Sequence, residues 1–179
     1  MNDCLFFGSN QNPILIKNEP NKITKPIQFK FENENENENE NEKQIKQILS
    51  NKFSIIFLFK NGKAIEYLSE KGSKQNTEKI QIENIQKVTV DIVSGWDSIY
   101  LLTSNQNVYG IGSNEYGQLG FDSETLKETE KPILMMKNVS KIFSGNSSNH
   151  VFLLNSNQEL FGCGYKSYGQ LGLGESRKK

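Results

Sequence analysis

The chain carries one histidine, two cysteines, one tryptophan and no net charge in 179 residues. Each scarcity closes off a class of chemistry. His150 alone cannot build a histidine-based metal cluster, and Cys4 with Cys163 cannot complete a four-ligand zinc site. Two cysteines make no disulfide framework, and both read most simply as buried thiols. A Ser-His-Asp arrangement would need a serine and an acid beside His150, and nothing local supplies them. Twenty-one basic residues against 21 acidic ones leave no general field for nucleic acid or a membrane surface. The cluster Arg177-Lys178-Lys179 is too short to change that. No apolar run reaches membrane-spanning length, and Asp3 ahead of a short apolar run does not read as a signal peptide. No window sustains a period of 3.6, so long helices are not expected.

What the sequence does have is a repeat. VYGIGSNEYGQLG, Val108 to Gly120, recurs as LFGCGYKSYGQLG, Leu160 to Gly172, 52 residues later. A near-copy at that distance marks a repeat architecture, and such architectures make binding surfaces more often than reaction centres. A weaker copy opens the chain, where Gly8-Ser9-Asn10 matches Gly112-Ser113-Asn114 at 104 residues, twice 52. A second element precedes each glycine block: DIVSGWDSIYLLTSNQNVYG from Asp91 and KIFSGNSSNHVFLLNSNQELFG from Lys141. A third version, QILSNKFSIIFLFKNGKAIEYL, starts at Gln47. Ser50, Ser94 and Ser144 therefore share one position, and Leu58, Leu102 and Leu154 another. The second repeat is degenerate. It has Glu66-Tyr67-Leu68 in place of the glycine block and lacks GQLG. Repeat boundaries fall near residues 10, 68, 120 and 172.

One irregularity has a simple source. Pro26 lies 106 residues before Pro132, but Ile48 lies only 94 before Ile142. The 12-residue difference equals the alternating Glu/Asn tract 32–43. That tract cannot bury apolar surface, and its like charges repel, so it reads as a solvated loop insertion. An acidic docking tail for a basic partner is the other reading. Loop expansion is the simpler one, since surface loops accept insertions at little cost.

Each unit reads as short strands. Phe53 to Phe59 is an apolar run, and Asn61-Gly62 then offers positive φ angles for a tight hairpin returning through Lys63 to Leu68. Ile99 to Thr103 with Asn107 to Ile111, and Val151 to Leu154 with Glu159 to Cys163, repeat that hairpin. Thr89 to Val93 and Lys141 to Phe143 read as strands leading into Ser-Gly turns. Units of about 50 residues built from short antiparallel strands suit propeller blades. Gly110, Gly112, Gly117 and Gly120 stand where a strand ends or the chain must pass close to a neighbour. Leu119 and Leu171 read as plugs between adjacent blades. The GxGxxxxG spacing is wrong for a dinucleotide loop, no helix pattern follows it, and no Lys-Ser/Thr pair is present.

These residues resemble the regulator-of-chromosome-condensation repeat family, a group of seven-bladed β-propellers. The block Gly110, Gly112, Asn114, Gly117, Gln118, Leu119, Gly120 fits the family's pattern fully. Its second copy, Gly162, Gly164, Gly169, Gln170, Leu171, Gly172, fits except that Lys166 replaces the asparagine. Pro132 and Ser144-Gly145 follow in order, and His150 takes the motif histidine after a two-residue expansion. The likeness is specific over Thr89 to Gly174. The chain enters mid-repeat at Met1 and stops mid-repeat after Gly174, roughly three to three and a half units. The expectation for residues 1–179 is therefore an all-β, partial, open-arc β-propeller with four-stranded antiparallel blades.

The resemblance implies a non-catalytic protein–protein interaction module; composition adds the expectation of an intracellular protein, in the cytoplasm or nucleus, with no cofactor and no metal. Its partner would be a protein, such as a small GTPase or a ubiquitin-ligase component, with self-association also open. Neither a membrane nor direct nucleic-acid contact is implied. Trp96, Asp97, Asn146 and His150 are the partner-binding candidates, because propeller faces are built from inter-strand loops and an exposed tryptophan is a typical anchor. Packing of Trp96 between blades is the competing reading. The alternative function is guanine-nucleotide exchange on a Ran-like GTPase, which needs no acid–base residue. Asp97 and His150 match turn positions that contribute to exchange in the family.

Overall fold

A computed structural model describes residues 44–51, 54–69, 77–81, 88–145 and 147–173. The opening repeat copy with Cys4, the Glu/Asn tract, Asn146 and Arg177-Lys178-Lys179 lie outside them. Every regular element among the described residues is a strand. The first sheet runs β1 (Ile45–Ser50), β2 (Ser54–Phe59), β3 (Ala64–Ser69) and β4 (Thr77–Gln81). The second runs β5 (Thr89–Ser94), β6 (Ser98–Thr103), β7 (Val108–Ser113) and β8 (Glu128–Met136). The third runs β9 (Val139–Phe143), β10 (His150–Asn155) and β11 (Leu160–Gly164). All neighbours pair antiparallel in chain order. Each sheet is a meander, the pattern of a propeller blade.

The apolar runs become strands because both their faces are covered. β6 (SIYLLT) is buried at all six positions. Ile99 and Leu101 point one way, joining Ile92 and the first sheet's Ile56, Leu58 and Ala64 in one cluster. Tyr100 and Leu102 point the other way, joining Val108 and Leu119 against Val139, Ile142, Val151 and Leu153 of the third sheet. A period of two thus splits one strand between two cores. Each fully buried aliphatic side chain contributes roughly 1.5–3 kcal/mol, so these interfaces dominate the fold. Among the described residues the matching face of the third sheet has no cover, and Phe143 and Leu160 are exposed there.

The three hairpins share one geometry, which agrees with the three-residue loop read at 104–106 and differs from the turn expected at Asn61-Gly62. Phe59 and Lys63, Thr103 and Asn107, and Asn155 and Glu159 close equivalent three-residue loops. The third loop residue alone has positive φ: Gly62 at 86°, Gln106 at 62° and Gln158 at 67°. This is a type I turn followed by a left-handed residue, so Asn61 needs no positive φ. The residue opening each loop also ties back to the start of its own sheet. Lys60, Ser104 and Ser156 donate their backbone N–H groups to the carbonyls of Gln44, Val88 and Asn138.

Two outer strands escaped the sequence reading. β4 (TEKIQ) has no apolar alternation. β8 contains Pro132, which reads as a strand breaker, yet its position on the sheet's outer edge tolerates a missing donor. The ladder bulges there: Gly110 pairs with Ile133 and Gly112 with Thr129. The degenerate repeat nevertheless forms a complete sheet. Glu66 takes the register position that Gly110 holds in the second sheet, since each lies opposite the third residue of its central strand. Glu66 is buried, and that burial pushes its carboxyl above the ordinary value, partly offset by a hydrogen bond with the Ser54 side chain.

Two outcomes follow. Gln158→Gly relieves a left-handed non-glycine residue at an exposed position, so thermal denaturation is expected to show a gain of about 0.5–1 kcal/mol. An acid whose folded pKa is raised stabilises below its unfolded value of 4.5 and loses that contribution as pH rises through the folded value. Glu66→Gln is therefore expected to raise the melting temperature at pH 7. The gain should shrink as the pH is lowered toward 4.5 in a pH series of melts.

Candidate interaction site

One end of the sheets gathers the turns between first and second strands and the loops after third strands. The link is a repeated backbone bond. Ser113 N donates to Asp97 O at 2.8 Å, and Tyr165 N donates to Asn149 O at 2.7 Å. In each case the preceding glycine, Gly112 at φ 98° or Gly164 at φ 108°, leaves room for that carbonyl. A Cβ on Gly112 would collide with Asp97 O, and one on Gly164 with Asn149 O. The second and third glycines of the block therefore do different jobs. Gly117 at 72° and Gly169 at 75° are required for turn conformation, with open or ordinary space around them.

The loop after β7 is held from within by Asn114, fully buried. Its Nδ2 donates to Phe121 O (3.1 Å) and Leu126 O (2.7 Å), and its Oδ1 accepts from Leu119 N (2.8 Å). Gln118 Oε1 accepts from Tyr116 N, as Gln170 Oε1 does from Tyr168 N, both at 2.8 Å. Leu119 is wholly buried between the second and third sheets, as a plug must be. Leu171 lies over Gly162 beside Phe152 but is only half-buried. Lys166 stands where Asn114 stands, so the second loop lacks the asparagine clamp.

The candidate contact residues divide. Trp96 is half-buried rather than fully exposed, and its backbone N–H donates to Ser148 O at 2.9 Å. The two Ser-Gly turns are thereby brought together: the space above Gly95 is filled by Ser148 O and Ser98 Oγ, with Ser144 Oγ close by. Asp97 contributes its carbonyl to the glycine contact. His150 opens β10, the position Ser98 holds in β6, each opposite the glycine of positive φ. Its carbonyl accepts from the hydroxyls of Ser144 and Ser148, and its ring meets Phe152 edge-on at 5.6 Å. Cys163 is half-buried rather than fully buried. Its thiol donates to Gln118 O at 3.4 Å, and burial pushes its pKa up to about 11. That makes it a poor nucleophile at neutral pH. Among the described residues no three His, Cys, Asp or Glu side chains converge as a metal site, and no helix is long and apolar enough to cross a membrane.

Sequence reasoning missed the aromatic content of this rim. Tyr116 and Tyr168 occupy the same repeat position, and Tyr165 sits between them, with ring centroids 5.0 Å and 5.8 Å away. The signal was present in the YGQLG block, but its glycines and leucine drew the reading toward structure.

Comparison with known proteins matches residues 89–118 and 105–154 to models of the regulator of chromosome condensation (RCC1) repeat. The chain is 29% identical over 103 residues to serine/threonine-protein kinase Nek9 of Xenopus laevis, covering 55% of the chain and 10% of that protein. It is 24% identical over 119 residues to the human X-linked retinitis pigmentosa GTPase regulator, covering 66% and 12%. Among solved structures, Prp20p from Saccharomyces cerevisiae superposes with a TM-score of 0.62 at 21% identity, covering 73% of this chain and 33% of that one. Human WBSCR16 gives 0.54 at 16% identity, covering 68% and 33%. The chain thus spans about a tenth of these relatives' length and a third of these structures. The structural likeness shows the propeller fold over part of the chain.

The two glycine roles separate by substitution. Gly112→Ala combines a left-handed backbone with a carbonyl clash and is expected to cost on the order of 2–4 kcal/mol. Gly169→Ala has only the backbone term, about 1 kcal/mol. Urea titration of the two variants reads the difference, and equal losses would refute the assignment.

Proposed function

We propose that this chain, which matches regulator-of-chromosome-condensation repeat models within residues 89–154, is a non-catalytic module that binds a protein partner through this rim. The single observation that carries the reading is the convergence of both kinds of loop at one end of the sheets. Backbone bonds lock those loops, while Tyr116 and Tyr168 stay exposed and Trp96 is half-buried beside them. Rigid aromatic side chains on fixed loops are the usual anchors of protein interfaces, because little conformational entropy is lost on binding. The opposite end offers short polar hairpins, residues 60–62, 104–106 and 156–158, which carry no aromatic residue. The module acts inside the cell.

The relatives support a protein partner. Prp20p has binding properties toward Gsp1p and histones, and a GTPase regulator is among the matched proteins. Nucleotide exchange on a Ran-like GTPase is the second reading. The placement of Asp97 and His150 at equivalent ends of neighbouring sheets favours it. Exchange would proceed by stabilising the empty GTPase, without acid–base chemistry on this chain.

Photo-crosslinking side chains at Trp96 and Glu115 on the rim, compared with Asn157 at the hairpin end, test the site. Adducts with a protein partner are expected from the rim positions only. Equal yields from Asn157 would overturn the reading. Acceleration of labelled GDP release from a Ran-like GTPase by the intact chain would transfer the assignment to exchange.

A further inference from the structure

We propose that Tyr116, Tyr165 and Tyr168 form a docking ladder for an uncharged, proline-rich segment of a protein partner, held as a polyproline II helix. The inference rests on the interaction reading of this rim and names the class of segment it takes.

The ladder is built by the repeat itself. Tyr116 and Tyr168 stand 52 residues apart at one repeat position. Each is presented by a loop with the same glutamine clamp and the same glycine turn. Tyr165 takes the place of Ser113, and its N–H is fixed on Asn149 O. Its ring meets Tyr116 at 68° and Tyr168 at 72°. Near-perpendicular neighbours leave two notches, each with one ring face as floor and another ring as wall. The packing leaves the two outer rings open, Tyr116 47% and Tyr168 87% exposed, with Tyr165 half-buried between them. Mutual stacking therefore fixes the rings without using up the apolar surface of the outer two.

Three features select the occupant. A proline ring is compact and apolar and fits such a notch, and its chain is already ordered before binding. Successive rings lie 5.0 and 5.8 Å apart, each step within one turn of polyproline II, which rises about 3.1 Å per residue with three residues per turn. The flanking charges oppose one another, Glu115 beside Tyr116 and Lys166 beside Tyr165. They give no field that would favour a basic or an acidic peptide. Phenolic hydroxyls at the ring tips can donate to peptide carbonyls, which polyproline II leaves without internal partners.

Titration of the intact chain with decaproline, followed by tyrosine fluorescence, tests the proposal. Saturable binding is expected, with a decamer of alternating glycine and serine and a decamer of lysine binding far more weakly. Tyr168→Ala is expected to weaken decaproline binding at least about fivefold, the loss typical of one truncated aromatic anchor. Because Tyr168 is so exposed, its melting curve should be unchanged. Tyr116→Ala is expected to match it. Absence of saturation, equal binding of either control decamer, or an unchanged affinity in Tyr168→Ala would each overturn the proposal. Failure here with rim crosslinks at Trp96 intact would sink the proline ladder alone, whereas loss of those crosslinks would remove the interaction reading beneath it.

Discussion

Everything in this molecule depends on covering both faces of a four-stranded sheet. A sheet of this size, alone in water, cannot bury enough apolar surface to offset the ordering of its chain. The second sheet solves the problem by being sandwiched. Ile92, Ile99 and Leu101 pack against the first sheet, and Tyr100, Leu102, Val108 and Leu119 pack against the third. The rim follows from this stacking. Turns of successive sheets come within hydrogen-bonding reach only because the sheets themselves are pressed together, as the bond from Trp96 N to Ser148 O records.

The repeat made most of this legible in the sequence. Two copies of one glycine block set the register, and the apolar runs Ile99–Leu102 and Val151–Leu154 located the central strands. What stayed hidden has physical reasons. β4 carries no apolar pattern, and β8 is interrupted by a proline that only its edge position allows. The hairpin geometry depends on left-handed glutamines at 106 and 158, which no propensity rule selects. At the rim the glycines were read as structural, but their division between clash avoidance and turn formation depends on where the carbonyls of Asp97 and Asn149 lie. Trp96 drew attention as a lone tryptophan. The tyrosines did not, because they sit inside a motif whose other members explain it.

The degenerate repeat shows how much of the motif the fold requires. The first sheet lacks the glycine block and GQLG, yet its meander is complete. Its inner face still supplies Ile56, Leu58 and Ala64 to the shared cluster. The alternation of apolar residues is therefore sufficient for the sheet. The glycine block serves the joint and the rim: it admits the neighbouring carbonyl and seats the leucine plug. Where the block is missing, a buried carboxyl occupies the corresponding register position.

The apolar clusters couple first sheet to second and second to third. Stability in such a stack is a sum of local terms between neighbours, so cooperativity is graded along the chain and the middle sheet is its hub. Loosening the second sheet would release both flanking sheets at once, while the third could open separately and re-form against a standing template. Hydrogen-exchange protection would then fall from β6 outward. The rim straddles the second and third sheets, so its shape would report the state of that one joint.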